Sequence, residues 1–351
     1  MTLIEAIAQI QPTDDVCRQR ALARVDRLTK PVGSLGRLEE LVVDHVAMTR
    51  EERPKPPRAM VFTFAADHGV TAEGVSAYPS AVTAQMVLNF LRGGAAVNVL
   101  ARHAGAEVRV VDIGVAYDFG GVPGLIDRKV AAGTRNFLHE PAMTRDQAEQ
   151  ALATGVELAI SAAQEGAGLI ATGDMGIGNT TASAAIAAVM TGLPVERVTG
   201  TGTGINDLEY RRKVWIIEQA LSRHRPNPRD PVDVLAKVGG FEIGGLVGLI
   251  LGAAGCRIPV VLDGFITGAA ALLASALQPL CRGYLIASHR SVEPGHQAAL
   301  QEMGLSPLLD LTLRLGEGTG ACLAIGLIQA GIKVFTEMAT FDEAGVSERS
   351  R

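Results

Sequence analysis

The chain has 351 residues, of which 48% are hydrophobic and 4% aromatic, with 40 glycines and a formal net charge of −5. This length and composition allow one large core with a smaller appended part. The sequence pI of about 5.9 argues against a nucleic acid held through its phosphates, and the few aromatic residues argue against stacking platforms for bases.

The first part of the chain, residues 1–58, is predicted to be helical. "DVCRQRALARVDRL" and "RLEELVVDHVAMTREE" both place apolar residues three and four positions apart. The turn-rich "TKPVGSLGR" separates them, and "RPKPPR" at 53–58 reads as a linker. The N-terminus carries early acids and no basic region, so we expect no signal peptide.

Five short apolar runs follow, each succeeded by an Ala-rich helical stretch. They are "AMVFTFAAD" ending at Asp67, "VRVVDIG" around Asp112, "AGLIATGD" ending at Asp174, "PVVLDG" around Asp263 and "GYLIASH" ending at His289. Such runs are typical of parallel strands covered on both faces, and their alternation with helices predicts a doubly wound α/β sheet. Because ligands bind at the carboxyl ends of such strands, four aspartates there predict a polar site.

Two features bear on the setting of the protein. The uncharged run Gly264–Cys281 is long enough to approach a membrane span, but it is mostly alanine and follows a strand, so we expect a buried helix and no membrane association. The cysteines form no CxxC pair and show no zinc-ligand spacing, which predicts reduced thiols in a cytoplasmic protein and no metal site. They are Cys17, Cys256, Cys281 and Cys322.

Two glycine-rich loops predict a phosphorylated ligand. In "ATGDMGIGNTTASAAIAAVM" (171–190) the glycines allow inward-turned N–H groups, and Asn179 opens a helix whose amino end attracts an anion. "GTGTGIND" (200–207) precedes a helix in which Lys213 could reach a phosphate. Neither loop matches the P-loop or the dinucleotide fingerprint.

A third segment supports a competing hypothesis. "VVLDGFITGAAAL" (260–272) resembles the phosphoribosyl-diphosphate motif of purine-salvage phosphoribosyltransferases. That motif generally has two adjacent acids for the ribose hydroxyls, whereas here Gly264 follows Asp263.

Seven motifs occur in the order seen in nicotinate-nucleotide:dimethylbenzimidazole phosphoribosyltransferases, and the chain resembles that family from about residue 28 to 330. They are "LTKPVGSLGRLEEL", "AADHGV…EGVSAYPSAVTAQM", "GDMGIGNTT", "GTGTGIND", "VVLDGF", "SHRSVEPGH" and "RLGEGTGA". The resemblance implies synthesis of α-ribazole phosphate, the lower-ligand nucleotide of cobalamin, without a cofactor. It also implies a homodimer with a Rossmann-like domain at 59–331 and a small helical domain from residues 1–58 and 332–351.

The resemblance also assigns site residues. It places the catalytic glutamate at Glu317, with Asp174 as a second acid whose role, in catalysis or as a helix cap, stays open. The base pocket falls on or near Ser76, Ser80, Gln85, Met86 and Leu315, without distinguishing Ser76 from Ser80 as the contact. The remaining substrate-binding positions are Gly176, Ile177, Gly178, Asn179, Thr180, Gly202, Lys213, Asp263 and Ser291.

Two positions depart from the family pattern. Relatives often carry glutamate where this chain has Asp174, so a role that needs the longer side chain is in question. They often carry arginine where this chain has Thr201, so the second glycine-rich loop lacks that charged phosphate contact.

Glu317 in "LTLRLGEGTGACLA" is predicted to be the general base. Nicotinate departs from a positively charged ring nitrogen and needs no proton, whereas the attacking imidazole-type nitrogen makes the other ring N–H acidic. No pyrophosphate leaves, so we expect no obligatory magnesium. The alternatives are a phosphoribosyl-diphosphate-dependent transferase and a nucleotide-binding protein without catalysis. The remaining polar residues at the strand ends are expected to tether loops rather than to react: Asp67, Asp263, His68 and His289.

Overall fold

The computed structural model describes residues 3–347. Within that range the strands form one parallel sheet in the order β3-β2-β1-β4-β5-β6. The strands are β1 Ala59–Ala66, β2 Glu107–Gly114, β3 Leu125–Asp127, β4 Leu169–Met175, β5 Val260–Leu262 and β6 Leu285–Ala287. The predicted doubly wound α/β fold is confirmed. All strands except the short β3 coincide with the predicted apolar runs, except that β2 begins one residue earlier, at Glu107, and β4 ends one residue later, at Met175.

Helices cover both faces of this sheet. In chain order they are α1 Leu3–Gln9, α2 Asp15–Asp26, α3 Arg37–Thr49, α4 Ala81–Leu91, α5 Ala96–Ala104, α6 Arg145–Gln164, α7 Asn179–Thr191, α8 Val195–Val198, α9 Asp207–His224, α10 Pro231–Val238, α11 Phe241–Gly255, α12 Phe265–Leu277, α13 Pro294–Met303, α14 Thr319–Glu337 and α15 Phe341–Ala344. Two 3₁₀ turns, Gly69–Glu73 and Pro279–Tyr284, complete the secondary structure of the described residues.

The core depends on close approach between helices as well as on apolar strands. Every residue of β1 is buried, as expected for a strand covered on both faces. Helices α6 and α11 approach so closely that a Cβ on Gly248 would lie 1.9 Å from the Leu152 carbonyl oxygen. A Cβ on Gly155 would lie equally near the Gly245 oxygen, at 1.9 Å. Glycine is therefore required at these two positions by backbone-to-backbone contact.

Three helices of the described residues, α11, α12 and α14, are apolar enough to raise the question of membrane insertion. The run that the sequence singled out forms α12, and its residues from Phe265 to Ser275 are buried, so the predicted buried helix is confirmed. Among the described residues, only α14 has both the length and the composition of a membrane span. It packs against α3 and α5, and most of its apolar face is buried, which is the environment of a core helix.

The two ends of the described chain meet. Leu28 and Thr340 form an isolated antiparallel bridge, and helices α3 and α14 pack together. The buried ion pair of Lys30 with Glu39, 2.7 Å long, fixes the loop before α3. The proposed division at residues 58 and 331 stays a prediction, and the second boundary falls inside the continuous helix α14.

The strand order places a crevice at one edge of the sheet. The chain proceeds outward from β1 to β2 and β3, and then returns to begin the other half at β4. The connections on either side of the β1–β4 boundary therefore diverge at the carboxyl ends of the strands, which is where open α/β sheets bind ligands.

Candidate active site

The loop that carries Glu317 lies across the carboxyl ends of β1 and β4. The Glu317 N–H donates to the Asp174 carbonyl oxygen at 3.2 Å, and the Thr63 hydroxyl donates to the Glu317 carbonyl oxygen at 2.9 Å. A Cβ on Gly173 would lie 2.2 Å from that same oxygen. The loop is thus pressed against the strand ends, at the crevice that the topology predicts.

The backbone of this loop is strained at the glutamate. Gly316, Glu317 and Gly318 have φ angles of 82°, 66° and 106°, so all three lie in the left-handed half of conformational space. The flanking glycines adopt this conformation freely, but a residue with a Cβ is destabilised there by about 1–2 kcal/mol. Non-glycine residues keep such strain mostly where function requires it.

Asp263 holds the loop in this conformation. One carboxylate oxygen accepts from the N–H groups of Gly320 and Ala321 at 2.7 and 3.1 Å, and the other accepts from Gly318 N–H at 3.2 Å. Asp263 is fully buried, and burial raises its pKa to about 7 in spite of these bonds. The Asp263 carboxylate lies beneath the first turn of α14 and tethers the backbone there, as expected. A direct contact between Asp263 and the substrate stays a prediction.

The Glu317 carboxylate is nearly buried and weakly bound. The residue is 5% exposed, and burial raises the pKa of its side chain. Within residues 3–347 its one side-chain hydrogen bond is a long one, 3.4 Å, from Val97 N–H at the start of α5 to Oε2. A carboxylate with a raised pKa and a free oxygen is a suitable general base.

Asp174 is a second buried acid beside this loop. Its Oδ2 accepts from the Asn179 side-chain amide at 2.9 Å, whereas its Oδ1 has no partner among the described residues. Burial raises the pKa of Asp174 well above its usual value, and the charges of Asp263, Glu242 and Glu317 raise it further. Asp174 therefore binds the side chain of Asn179 rather than capping backbone N–H groups, and its predicted catalytic role remains a prediction.

The two glycine-rich loops come together around Lys213. The predicted helix after the first loop begins at Asn179, with Gly178 at φ 93°, and Ile177 N–H is held at 3.2 Å by the Thr83 hydroxyl. The ammonium of Lys213 donates to the Thr180 hydroxyl at 2.9 Å and to the Gly200 carbonyl at 3.3 Å. Lys213 is fully buried, and burial lowers its pKa to about 8.

The segment that follows β6 supports the second loop. Glu293, a residue that the sequence did not single out, accepts from Gly202 N–H at 2.9 Å. Its own N–H is bound by the Ser291 hydroxyl, and Ser291 N–H donates to His296 Nδ1 at 3.1 Å. The predicted phosphate residues Gly202, Lys213 and Ser291 therefore belong to one connected network.

The predicted base-pocket residues are divided between two places. A cleft of about 520 Å³ opens between α4 and the loops after β1 and β2, and its lining includes Ser80 and Gln85 with Asp67, His68 and Tyr117. Ser76 lies instead against the second glycine-rich loop, its hydroxyl 3.2 Å from that of Thr203. Met86 is partly buried against the core and Leu315 is 59% exposed, both outside the lining of this cleft.

A buried pair that the sequence analysis missed lies beside the first loop. His68 Nε2 is 2.6 Å from Glu242 Oε1, and both side chains are fully buried. His68 tethers β1 to α11 through this contact, as expected of a loop-holding histidine. Glu242 stands alone in the apolar stretch "FEIGGLVGLI", and an isolated carboxylate in such a stretch is the sequence signal that could have drawn attention to it, because burying a carboxylate without a partner is costly. Residues 3–347 contain no cluster of three or more potential metal ligands.

Comparison with known proteins identifies the family. A family model described as phosphoribosyltransferase matches residues 10–346. The nicotinate-nucleotide–dimethylbenzimidazole phosphoribosyltransferase of Geobacter sulfurreducens is 60% identical over 349 residues, covering 99% of each chain. The enzyme of that name from Chloroflexus aggregans is 59% identical over 347 residues, covering 99% of this chain and 98% of its own.

A solved structure agrees with this assignment. The crystal structure of CobT from Thermus thermophilus superposes with a TM-score of 0.92 at 50% sequence identity, covering 95% of this chain and 100% of that chain. The chain belongs to the nicotinate-nucleotide:dimethylbenzimidazole phosphoribosyltransferase family.

Proposed function

We propose that the protein transfers the 5-phosphoribosyl group of nicotinate mononucleotide to 5,6-dimethylbenzimidazole, giving α-ribazole 5′-phosphate and nicotinate. The relatives described above carry the name of this reaction. The single observation that carries the proposal is Glu317, a strained, nearly buried glutamate with a raised pKa at the crevice of the sheet.

The reaction is a direct displacement at the ribose C1′. The bond from C1′ to the pyridinium nitrogen breaks, and nicotinate leaves with the electron pair without needing a proton. A ring nitrogen of dimethylbenzimidazole forms the new bond, and positive charge passes through an oxocarbenium-like sugar, as in glycoside cleavage. Attack from the opposite face inverts the anomeric centre and gives the α-riboside.

Glu317 takes the proton that this attack makes acidic. As the first ring nitrogen bonds to C1′, the second becomes an acidic N–H, and the carboxylate of Glu317 accepts that proton. Because burial raises its pKa, the glutamate is a stronger base than one in water. Base catalysis of this kind contributes about 10²–10⁴ in rate, which corresponds to roughly 3–5 kcal/mol of barrier.

The connected network around Lys213 binds the 5′-phosphate. It presents the amino end of α7, the backbone of the loop around Gly202 and the Thr180 hydroxyl, all within reach of the Lys213 ammonium. An anion is stabilised at such a helix end by free N–H groups and by the helix dipole. Asp174, next to Asn179 on the same side of the site, holds the first loop and orients the sugar.

The geometry opposes the rival that uses phosphoribosyl diphosphate. Such a site needs paired acids free to bind the ribose hydroxyls. Here Gly264 occupies the second position, and the Asp263 carboxylate is fully buried and occupied by three backbone N–H groups.

Product analysis tests the proposal. The protein is incubated with dimethylbenzimidazole and either nicotinate mononucleotide or phosphoribosyl diphosphate, with and without magnesium, and released nicotinate and the new riboside are quantified. We expect turnover with the mononucleotide alone, independent of magnesium, and an α-anomer by NMR. Turnover only with the diphosphate supports the rival transferase, a β-product indicates a covalent intermediate, and binding without nicotinate release indicates a non-catalytic protein. The homodimer that the family resemblance implies is tested by light scattering of the same preparation.

A further inference from the structure

Arg314 lies where three functional loops meet. The segment before Glu317 runs beside the segment after β6, with Arg290 N–H donating to the Leu309 oxygen at 2.8 Å and Val292 N–H to the Leu313 oxygen at 3.3 Å. From this segment the Arg314 guanidinium reaches the second glycine-rich loop, where Nη1 donates to the Gly202 carbonyl oxygen at 3.2 Å. Arg314 therefore touches the phosphate network three residues before the proposed base.

The buried residues around Lys213 carry too little net positive charge to balance a bound phosphate. A phosphate monoester carries about −1.5 to −2 charges at neutral pH. The buried Lys213 ammonium is opposed by the buried Glu293 carboxylate, whose charge acts on it directly. Thr201 adds no charge from the exposed side of this loop. The lysine and the glutamate together contribute little net positive charge to a bound phosphate.

Arg314 has both the charge and the free donors that such a ligand needs. Its side chain is exposed, and within residues 3–347 it makes no ion pair and one hydrogen bond, that to Gly202. A guanidinium has five N–H donors in a planar fork that matches a phosphate in two-point contact. Most of those donors point to no protein acceptor in this structure.

We propose that Arg314 is a specificity-determining residue that binds the 5′-phosphate of the ribosyl donor and selects the nucleotide over the unphosphorylated nucleoside. The inference rests on the proposed function. The phosphate enters between the Gly202 loop and the guanidinium, and Arg314 contacts the anion from the solvent side, opposite the buried Lys213. Because Leu315 and Gly316 alone separate Arg314 from Glu317, phosphate binding also fixes the segment that carries the base.

The test compares two donors in matched variants. R314Q, R314K and the control R290Q are assayed with dimethylbenzimidazole and either nicotinate mononucleotide or nicotinate riboside. Arg290 is a suitable control because it is exposed on the neighbouring segment and its guanidinium is already paired with Asp310. Ribose 5-phosphate and ribose are compared as competitive inhibitors of each variant, so that binding of the phosphate is measured without turnover.

A charged hydrogen bond of this kind is worth roughly 10- to 100-fold. We expect R314Q to lower kcat/KM for the nucleotide by that factor, chiefly through KM, and to weaken inhibition by ribose 5-phosphate in parallel. Turnover of the riboside and inhibition by ribose stay unchanged, R314K regains part of the loss, and R290Q matches the wild type. Equal losses with both donors, or an unchanged preference in R314Q, overturn the inference. A wild type that uses neither donor overturns the proposed function instead.

Discussion

Replacing Glu317 by glutamine separates catalysis from folding. The variant keeps the size of the side chain and removes the basic oxygen, so the proton of the attacking heterocycle has no acceptor. From the contribution of a positioned base we expect kcat to fall by about 10²–10⁴. The KM of the ribosyl donor changes less, because Glu317 makes one long hydrogen bond with Val97 and takes no part in the phosphate network.

The same substitution is expected to stabilise the fold. Burial raises the pKa of Glu317, so the folded state binds the proton more tightly than the unfolded state does. The wild type therefore loses stability as the pH rises through the range above the ordinary glutamate value of 4.5, and glutamine does not. E317G adds relief of the left-handed backbone at φ 66°, worth about 1–2 kcal/mol.

Two measurements on the same preparations decide this. Nicotinate release gives kcat, and urea unfolding at pH 4 and pH 8 gives the free energy of unfolding. We expect E317Q to be inactive yet more stable than the wild type at pH 8, with the difference vanishing near pH 4, and E317G to be more stable still. Turnover of E317Q within a few-fold of the wild type would refute the proposed base.

Three further predictions concern the supporting structure. D263N replaces one of the two carboxylate oxygens that accept backbone N–H groups with an NH₂ group, which loosens the loop below Glu317. We expect nicotinate release to show a kcat lowered by up to about 10²-fold and an unchanged KM for the donor. G248A places a methyl group against a backbone oxygen at 1.9 Å, and we expect a loss of about 1–3 kcal/mol in urea unfolding, with G326A, whose Cβ meets open space, as control. Burial lowers the pKa of His45 to about 4 in the folded protein, so below pH 6.5 the unfolded chain binds the proton first and the wild type loses stability. From pH 7.5 to pH 5, the free energy of unfolding of H45L should rise by about 2 kcal/mol relative to that of the wild type. An equal pH dependence in the two proteins contradicts the last prediction.

The sequence predicts the fold well because its signals are local. Runs such as "AMVFTFAAD" are apolar throughout and are followed by turn residues, so they indicate buried parallel strands without tertiary information. Strand β3, the three residues Leu125–Asp127, was missed because it is too short to show a pattern, and it gains its regularity by pairing with β2. Helix α7 begins at the predicted Asn179 because Gly178, with a φ of 93°, has a left-handed conformation that lies outside the helix.

The site was predicted less completely, since its contacts join distant segments. The meeting of Thr180 with Lys213 and of Gly202 with Glu293 depends on loops that the sheet brings together. The spacing of residues along the chain cannot predict these contacts between distant segments. Ser76 and Ser80 are four residues apart in the sequence, yet one contacts the second glycine-rich loop and the other lines the cleft.

The strained loop at Glu317 lies among buried carboxylates at one edge of the sheet. Asp174, Asp263 and Glu317 all have raised pKa values because they are buried, and the charges of Asp263, Glu242 and Glu317 raise the pKa of Asp174 further. A buried carboxylate oxygen without a partner, such as Oδ1 of Asp174, lowers the stability of the folded chain, and relaxation of the loop would let water reach it. The hydrogen bonds of Asp263 to the loop backbone and the close contact between Gly173 and the Glu317 carbonyl oxygen oppose that relaxation. The result is a desolvated carboxylate with a raised pKa at Glu317, and the close packing of α6 against α11 elsewhere in the fold stabilises the chain that carries it.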